Sequence, residues 1–445
     1  MKILFVSLGC DKNLVDSESM TGLLARAGYE FTDDEAEAEI IVVNTCCFIG
    51  DAKEESIRTI LELASWKKKG RCRVLLATGC LAERYQDEIC KEIPELDGVL
   101  GTASYDYVTE MVEQTLKGQH YERFESVDRP MDLLPGRMVT TGGHYAYLKI
   151  AEGCDRHCTY CVIPGVRGRY RSFSMEQLLA QARELADGGV RELILVAQET
   201  TLYGTDLYGH KALPELLTGL CRIPGLYWIR LQYCYPEEIT KELIDVIRRE
   251  PKICHYLDMP IQHASDSILK RMGRRTCREE LIRQIDSIRK AIPDICLRTT
   301  LIAGFPGETQ EDHEALMAFV DECEFDRLGV FAYSQEENTP AAAMPDQIPD
   351  EVRESRRDSL MELQQEIAFD KCSSMEGRIL DVMIEGRIAD ENAYVGRTYM
   401  DAPGVDGLIF VHTAEELMTG DFVRVRVTGA LEYDLIGEIE DELTQ

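Results

Sequence analysis

The chain has 445 residues, of which 44% are hydrophobic and 29% charged, and its 80 acidic against 49 basic residues give a formal net charge of -31. That length holds two to four domains of roughly 100 to 200 residues each, and no apolar run approaches the roughly 18 residues of a membrane span. The opening Ile3-Leu4-Phe5-Val6 run is too short for a signal peptide, so a globular cytoplasmic protein without membrane attachment is expected. The field of such a chain repels nucleic acid unless a local basic patch offsets it, and attracts a basic protein.

Residues 2–118 alternate between short apolar runs and helical periodicity. Lys2 to Leu8, Ile40 to Asn44 and Arg73 to Thr78 read as strands, and Asp16 to Ala27, Asp51 to Lys68 and Ala82 to Ile93 as helices, which together predict an open parallel sheet. Cys10, Cys46 and Cys80 each sit just after one of these strands. The carboxyl ends of strands in an open α/β sheet face one crevice, so these three distant thiols form a candidate metal site. Gly9 and Gly79 would let the backbone turn tightly beside it, while Cys72 and Cys90 read as structural and Cys47 as a thiol near the site. No G-x-G-x-x-G follows the first strand, which argues against a dinucleotide turn.

Residues 119–143, punctuated by Pro130, Pro135 and Gly142-Gly143, read as a linker. From 144 to 371 six β-type runs follow, Ala146 to Ala151, Glu192 to Ala197, Trp228 to Tyr233, Tyr256 to Ile261, Cys296 to Ala303 and Arg327 to Ser334, separated by helical segments. Six βα units are two short of a closed eight-stranded barrel, and a site at the carboxyl ends of the strands is expected. After the first run comes Cys154, Cys158 and Cys161 in C-x3-C-x2-C spacing. A structural zinc takes four ligands, whereas three cysteines on one loop leave the fourth iron of a cubane cluster open to an outside ligand; a zinc knob or three unrelated core thiols are the plainer readings. Sixteen cysteines in an intracellular chain fit metal sites and buried thiols better than a disulfide framework.

Polar residues recur at the strand ends. Gln198 and Glu199 follow the second run, Arg230 and Gln232 lie on the third, Gln262 and His263 follow the fourth, and G-F-P-G-E-T, Gly304 to Thr309, follows the fifth. The glycines Gly304 and Gly307 with Pro306 allow close approach of a ligand, or mark an ordinary loop and helix start. His157 and His263 offer acid–base chemistry or a local hydrogen bond, and Arg167, Arg169 and Arg171 could grip a carboxylate or phosphates, the best local argument for RNA. Glu351 to Lys371 reads as a charged helix leading to residues 372–441, where five strand-like runs make a small antiparallel barrel. From Cys372 onward five basic residues stand against sixteen acidic ones, which disfavours phosphate binding there.

The three-cysteine loop resembles that of the radical S-adenosylmethionine (SAM) superfamily. The segments S-L-G-C-x-K-N-x-V-D-S-E, N-T-C-x-F-I and T-G-C at Thr78 to Cys80 are similar to the amino-terminal domain of its methylthiotransferases. The match departs at Asp11, where proline is common, and at Cys47, where glycine is common. The resemblance covers essentially the whole chain and implies an α/β protein in three parts: an amino-terminal open parallel sheet over residues 1–118, a partial (β/α)6 radical SAM barrel over 144–371 and a TRAM-like antiparallel barrel over 372–441. It implies two [4Fe-4S] clusters, one on Cys154, Cys158 and Cys161 and an auxiliary one on Cys10, Cys46 and Cys80. It places SAM against Tyr160, Glu199, Arg230, Gln232, His263, Gly304, Pro306 and Gly307, with Tyr160 near the adenine or else a buried support for the loop.

The implied reaction cleaves SAM to a 5'-deoxyadenosyl radical and converts a C–H bond to C–S–CH3, with an electron donor and a sulfur donor as partners. One branch of the family acts on tRNA adenosine derivatives and another on an aspartate β-carbon of small-subunit ribosomal protein S-twelve. Three segments resemble the protein-modifying branch: V-D-S-E at Val15 to Glu18, Tyr147 to Cys154, and G-R-T-Y-M-D-A-P-G-V-D-G at Gly396 to Gly407. The acidic third domain suits a basic ribosomal protein better than tRNA. A non-catalytic iron–sulfur scaffold on the ribosome is the contrasting class.

Overall fold

The computed structural model describes residues 1–389 and 391–440, with Asp87 by its backbone alone; residue 441, the last of the expected third domain, lies outside them. The first sheet contains β1 (Lys2–Ser7), β2 (Glu30–Phe31), β3 (Ile40–Thr45), β4 (Val74–Gly79), β5 (Gly98–Leu100) and β6 (Tyr121–Arg123), all parallel in the order β2-β1-β3-β4-β5-β6. The runs I-I-V-V-N-T and V-L-L-A-T-G are buried at every position, as strands covered on both faces must be. Two boundaries differ from expectation. Tyr121–Arg123, inside the segment read as linker, forms the edge strand. The first helix begins at Asp11 rather than Asp16, because Lys12, Asn13, Asp16, Ser17 and Glu18 are polar yet buried and so mask its apolar period.

In the second sheet β7 (Tyr145–Lys149) is followed by the antiparallel pair β8 (Ala151–Glu152) and β9 (Arg171–Ser172), then by β10 (Glu192–Val196), β11 (Trp228–Leu231), β12 (Ile253–Asp258), β13 (Cys296–Ala303) and β14 (Arg327–Ala332). The six long strands are parallel in the order β14-β13-β12-β11-β10-β7, an open partial barrel with helices outside. Helix Met175–Asp187 starts where Ser174 Oγ accepts from the Gln177 amide, and Gln310–Cys323 starts on a Thr309–Asp312 capping box. Helix Asp350–Ser373 leads to β15 (Ile379–Arg387), β16 (Ala393–Thr398), β17 (Ile409–His412), β18 (Phe422–Leu431) and β19 (Asp434–Ile439), a closed barrel in the order β15-β16-β17-β19-β18.

The carboxyl edges of the two parallel sheets meet each other. Tyr233, just past β11, donates to Asp11 Oδ1 at 3.0 Å; the Gly50 amide donates to Ser334 Oγ at 3.2 Å; and Arg84 pairs with Glu336 at 2.7 Å. The small barrel docks at the opposite end, on the first residues of the strands. Glu192, at the start of β10 and fully buried, takes Arg230 Nε and Arg397 at 2.7 Å each. Arg327 pairs with Asp401 at 2.6 Å, Tyr256 donates to Asp406 at 2.8 Å, and Trp228 meets Phe422 edge-on at 4.8 Å. The segment Gly396 to Gly407 is therefore the docking face of the third domain.

Burial alone would raise the Glu192 pKa, but Arg397 and Arg230 outweigh it and hold the carboxylate below its usual range. Its contribution is therefore present above the unfolded value and lost as the pH falls through the folded one. Arg397→Ala leaves the buried charge with one partner, and chemical denaturation followed through Trp228 is expected to show a loss of about 3 to 5 kcal/mol. Arg387→Ala, on the exposed rim of β15, is expected to stay within about 0.5 kcal/mol.

Candidate functional site

The loop from Cys154 to Cys161 leaves β8 at the mouth of the partial barrel and is clamped from several sides. The Cys154 amide donates to Gly168 O at 3.0 Å, the Thr159 amide to Met272 O at 3.0 Å, and the Ala341 amide to Thr159 O at 2.9 Å. Gly273 has φ +76° and an added Cβ there would lie 2.6 Å from His157 O, so the clamp needs glycine. The Arg156 amide donates to Cys154 Sγ at 3.4 Å, and Cys158 Sγ lies 3.8 Å from the Tyr235 hydroxyl. Burial pushes the Cys154 thiol up to about 12 and raises Cys161 further, with Cys158 and Cys154 close enough to add to it. All sixteen cysteines are free of disulfides. Three clustered sulfurs, one already receiving an amide N–H, suit a soft metal centre that takes thiolates and offsets their mutual repulsion.

The second set converges across the gap. Cys10 precedes helix Asp11–Arg26, Cys46 follows β3, and Cys80 opens the short helix after β4. Asn13 gathers them: its Nδ2 donates to Leu8 O at 3.0 Å and Thr45 O at 2.8 Å, and its Oδ1 lies 3.8 Å from Cys80 Sγ. Gly9 and Gly79 have φ of +86° and +96°, and an added Cβ would fall 2.8 Å from Cys46 Sγ and 2.2 Å from Asn44 Oδ1 respectively, so both glycines are required. Cys80 is raised by burial, partly relieved by the Arg167 charge, with Cys47, Cys10 and Cys46 adding to the rise. The four thiols thus share one electrostatic neighbourhood, and Cys47 is fully buried beside the set.

Between the two sets lies a buried ionic cluster. Arg167 donates to Asp16 at 2.6 Å, to Glu152 at 3.3 Å and to Asn13 Oδ1, while Lys149 pairs with Glu152 at 2.7 Å and with Asp16. Burial alone would raise Glu152, but Lys149 and Arg167 hold its carboxyl down at about 2. Glu18, two residues past Asp16 on the same helix, pairs with Arg137 at 3.0 Å and accepts from Thr140. Asn13, Asp16, Lys149 and Glu152 were not singled out individually from sequence. The available signal was Lys149, a cation in an apolar strand, which demands a buried counter-ion.

Of the residues expected around SAM, most are at this mouth. Glu199 is fully buried, pairs with Arg156 at 3.0 Å and accepts from Thr201; burial, only partly offset by Arg156, raises it to about 7. Gln232 is buried, and its carbonyl accepts from Thr200 at 2.8 Å. His263 is fully buried, its Nδ1 accepts from the Ser265 amide at 2.9 Å, and its Nε2, 3.5 Å from Glu308, has no hydrogen bond among the described residues. Tyr160 packs edge-on to Phe305 at 6.4 Å and so supports the loop, while His157 is exposed.

Three expectations need correction. Arg230 does not reach the mouth: its side chain runs to the amino end of the barrel, to Glu192 and the carbonyls of Thr398 and Tyr399. Gly304 and Gly307, with φ of +72° and +81°, face protein rather than ligand, since added Cβ atoms would strike Arg353 and Arg271; Pro306 between them is buried. The arginine loop is turned inward as well, with Arg167 buried, Arg171 donating to the carbonyls of Arg169 and Arg167, and only Arg169 exposed.

Comparison with known proteins supports the architecture. Residues 2–101 match the uncharacterized protein family UPF0004, 148–320 the radical SAM superfamily and 377–439 the TRAM domain. A protein of Lachnoclostridium phytofermentans is 63% identical over 440 residues, covering 99% of this chain and all of its own length. One of Clostridioides difficile is 47% identical over the full length of both. Both are named ribosomal protein uS12 methylthiotransferase RimO. Among solved structures, the radical SAM methyltransferase TsrM from Kitasatospora setae, with cobalamin and a [4Fe-4S] cluster bound, aligns with a TM-score of 0.56 at 14% identity over 76% of each chain, a likeness of fold.

Gly9→Ala places a methyl 2.6 Å from Cys46 Cβ and is expected to displace Cys46, so that anaerobically reconstituted protein loses iron from the amino-terminal set and keeps it on the Cys154 loop. Gly28→Ala, at φ +87° with nothing within 4 Å of the added Cβ, carries the backbone strain without the clash and is expected to keep its iron.

Proposed function

We propose, for a chain that belongs to the ribosomal protein uS12 methylthiotransferase family (RimO), that it adds a methylthio group to the β-carbon of an aspartate in ribosomal protein uS12. It is an enzyme of the radical SAM kind, with an iron–sulfur cluster and SAM as cofactors. The observation that carries the proposal is the convergence of two three-cysteine sets on facing carboxyl edges, joined by Asn13 and Arg167. Cys154, Cys158 and Cys161 would hold one [4Fe-4S] cluster, and Cys10, Cys46 and Cys80 a second. When bound, these groups and SAM supply the one-electron and sulfur chemistry that side-chain acids and bases cannot.

The protein's own residues position and enclose. Glu199, Gln232 and His263 would stand at the SAM end of the mouth, with Tyr160 holding the loop beside them; Arg230, which runs to the amino end, and Gly304 and Gly307, whose open sides face Arg353 and Arg271, are no longer among them. Among the described residues His263 Nε2 has no hydrogen bond and lies 3.5 Å from Glu308, and burial raises Glu199 to about 7; two such buried titratable groups support reading that end as a ligand site. Since the product gains a sulfur and the cleavage consumes electrons, a sulfur donor and an electron donor are required partners. Among the described residues no helix is long and apolar enough to cross a membrane, and the expected site of action is the cytoplasm.

A protein substrate is favoured over tRNA by the fate of the cations. Arg167 is neutralised by Asp16 and Glu152, Arg397 is consumed in docking, and Arg426 pairs with Glu440. What remains presents an acidic surface to a basic ribosomal protein.

The test is mass spectrometry after anaerobic incubation of cluster-loaded protein with SAM, sulfide and reductant, offering small ribosomal subunits and unmodified tRNA in parallel. A methylthio gain on one uS12 aspartate is expected. A gain on tRNA adenosine would replace the substrate, and intact SAM with no gain on either would leave a scaffold. Cys158→Ala is expected to abolish release of 5'-deoxyadenosine, whereas Cys80→Ala should still release it and transfer no methylthio group.

A further inference from the structure

At the outer edge of the first sheet three unlike metal-binding side chains meet. Cys90 lies in the helix Gln86–Glu92, and His120 and Glu122 flank Tyr121 at the start of the edge strand β6. Their ligand atoms all lie within 4.8 Å of one another, with His120 Nε2 2.7 Å from Glu122 Oε1. Alternation along an extended backbone puts residues 120 and 122 on one face, and the helix brings Cys90 over that face. The cluster cysteines stand elsewhere, at the ends of β1, β3 and β4, so this trio is independent of them.

We propose that Cys90, His120 and Glu122 form a zinc site that fastens the helix Gln86–Glu92 to the edge strand β6. A thiolate, an imidazole and a carboxylate are the donor types zinc takes, whereas magnesium and calcium call for oxygen alone. Around tetrahedral zinc, donors sit roughly 3.5 Å apart, so the trio closes on an ion with small side-chain rotations. Three protein ligands leave the fourth position to water. The half-buried thiol and the exposed imidazole and carboxylate leave an open path of entry. Zinc takes the thiolate, so binding releases the Cys90 proton to solvent. The staple acts on a short edge: β6 has three residues and one strand neighbour, β5, and the chain leaves it for the barrel. Cys90, read from sequence as a structural thiol, thereby gains a ligand role.

The test uses full-length protein with its iron–sulfur clusters reconstituted, so that the other thiolates are occupied, and zinc or cobalt(II) as the probe. Wild type is expected to retain one equivalent of zinc beyond its iron through a weak competing chelator, and to show a thiolate-to-cobalt charge-transfer band with cobalt(II). Cys90→Ala and His120→Ala should each lose that equivalent, and Cys90→Ala the band, with iron content and cluster absorption unchanged. Zinc should raise the melting temperature of wild type and leave that of Cys90→Ala unmoved. Equal zinc retention by wild type and both variants, loss of the ion from wild type to the chelator, or bound cobalt without the thiolate band would overturn the site.

Discussion

The buried charges between the two parallel sheets are the constraint on which the rest depends. Asp16, Lys149, Glu152 and Arg167 are each 5% exposed or less, two acids against two bases, with Asn13 closing the set. Moving four ions out of water costs several kcal/mol apiece, and their attraction offsets that cost only with the full geometry assembled. Such a cluster adds little net stability, yet it penalises parting the sheets, because that strands Asp16 and leaves Lys149 and Arg167 with Glu152 alone between them. Its members are also tied to the sulfurs. Asn13 lies three residues past Cys10, Glu152 two before Cys154 and Arg167 six past Cys161, so fixing the charges fixes the two cysteine sets relative to each other.

The third domain obeys the same rule at the other end. Glu192, Arg230 and Arg397 form a second fully buried ion set, with Arg327–Asp401 beside it. The barrel is thus held by charge at both edges and by apolar packing along its sides, where its largest cluster runs from Ala146 to Leu360. Ion pairs set the angles and hydrophobic burial supplies the driving force. The two ends differ in what they enclose: the carboxyl end is roofed by thiols and glycine turns, while the amino end is closed by side chains of the third domain.

Much of the fold was legible because strand runs and helical periods are local. All six barrel strands lie where apolar runs placed them; of the two cysteine sets, Cys10, Cys46 and Cys80 were proposed because they follow strands whose carboxyl ends share an edge, and Cys154, Cys158 and Cys161 from their C-x3-C-x2-C spacing. What escaped was direction. An arginine in W-I-R-L is an anomaly from sequence, but whether its long side chain runs to the mouth or the base depends on where the counter-ion stands, and Glu192 is 38 residues away in the chain. Gly304 was read correctly as special, yet the side on which its missing Cβ matters faces Arg353, a residue of a later helix. The early start of helix Asp11–Arg26 was hidden because a helix buried against ions carries no apolar stripe.

The same observation changes the meaning of the segments that resemble the protein-modifying branch. Asp16 and Glu18 in V-D-S-E, Lys149 and Glu152 in Tyr147 to Cys154, and Arg397 and Asp401 in Gly396 to Gly407 all spend their charges on contacts between parts of the chain. None of these side chains is presented to a partner. In this chain, therefore, the segments lock the domains together, and contact with a substrate falls to surfaces these residues orient. An enzyme that sets one cysteine pocket against another needs that relative position held to a fraction of an ångström more than it needs a large contact area. Buried, mutually dependent charges are the side chains best able to hold it, because no partial version of the contact is stable.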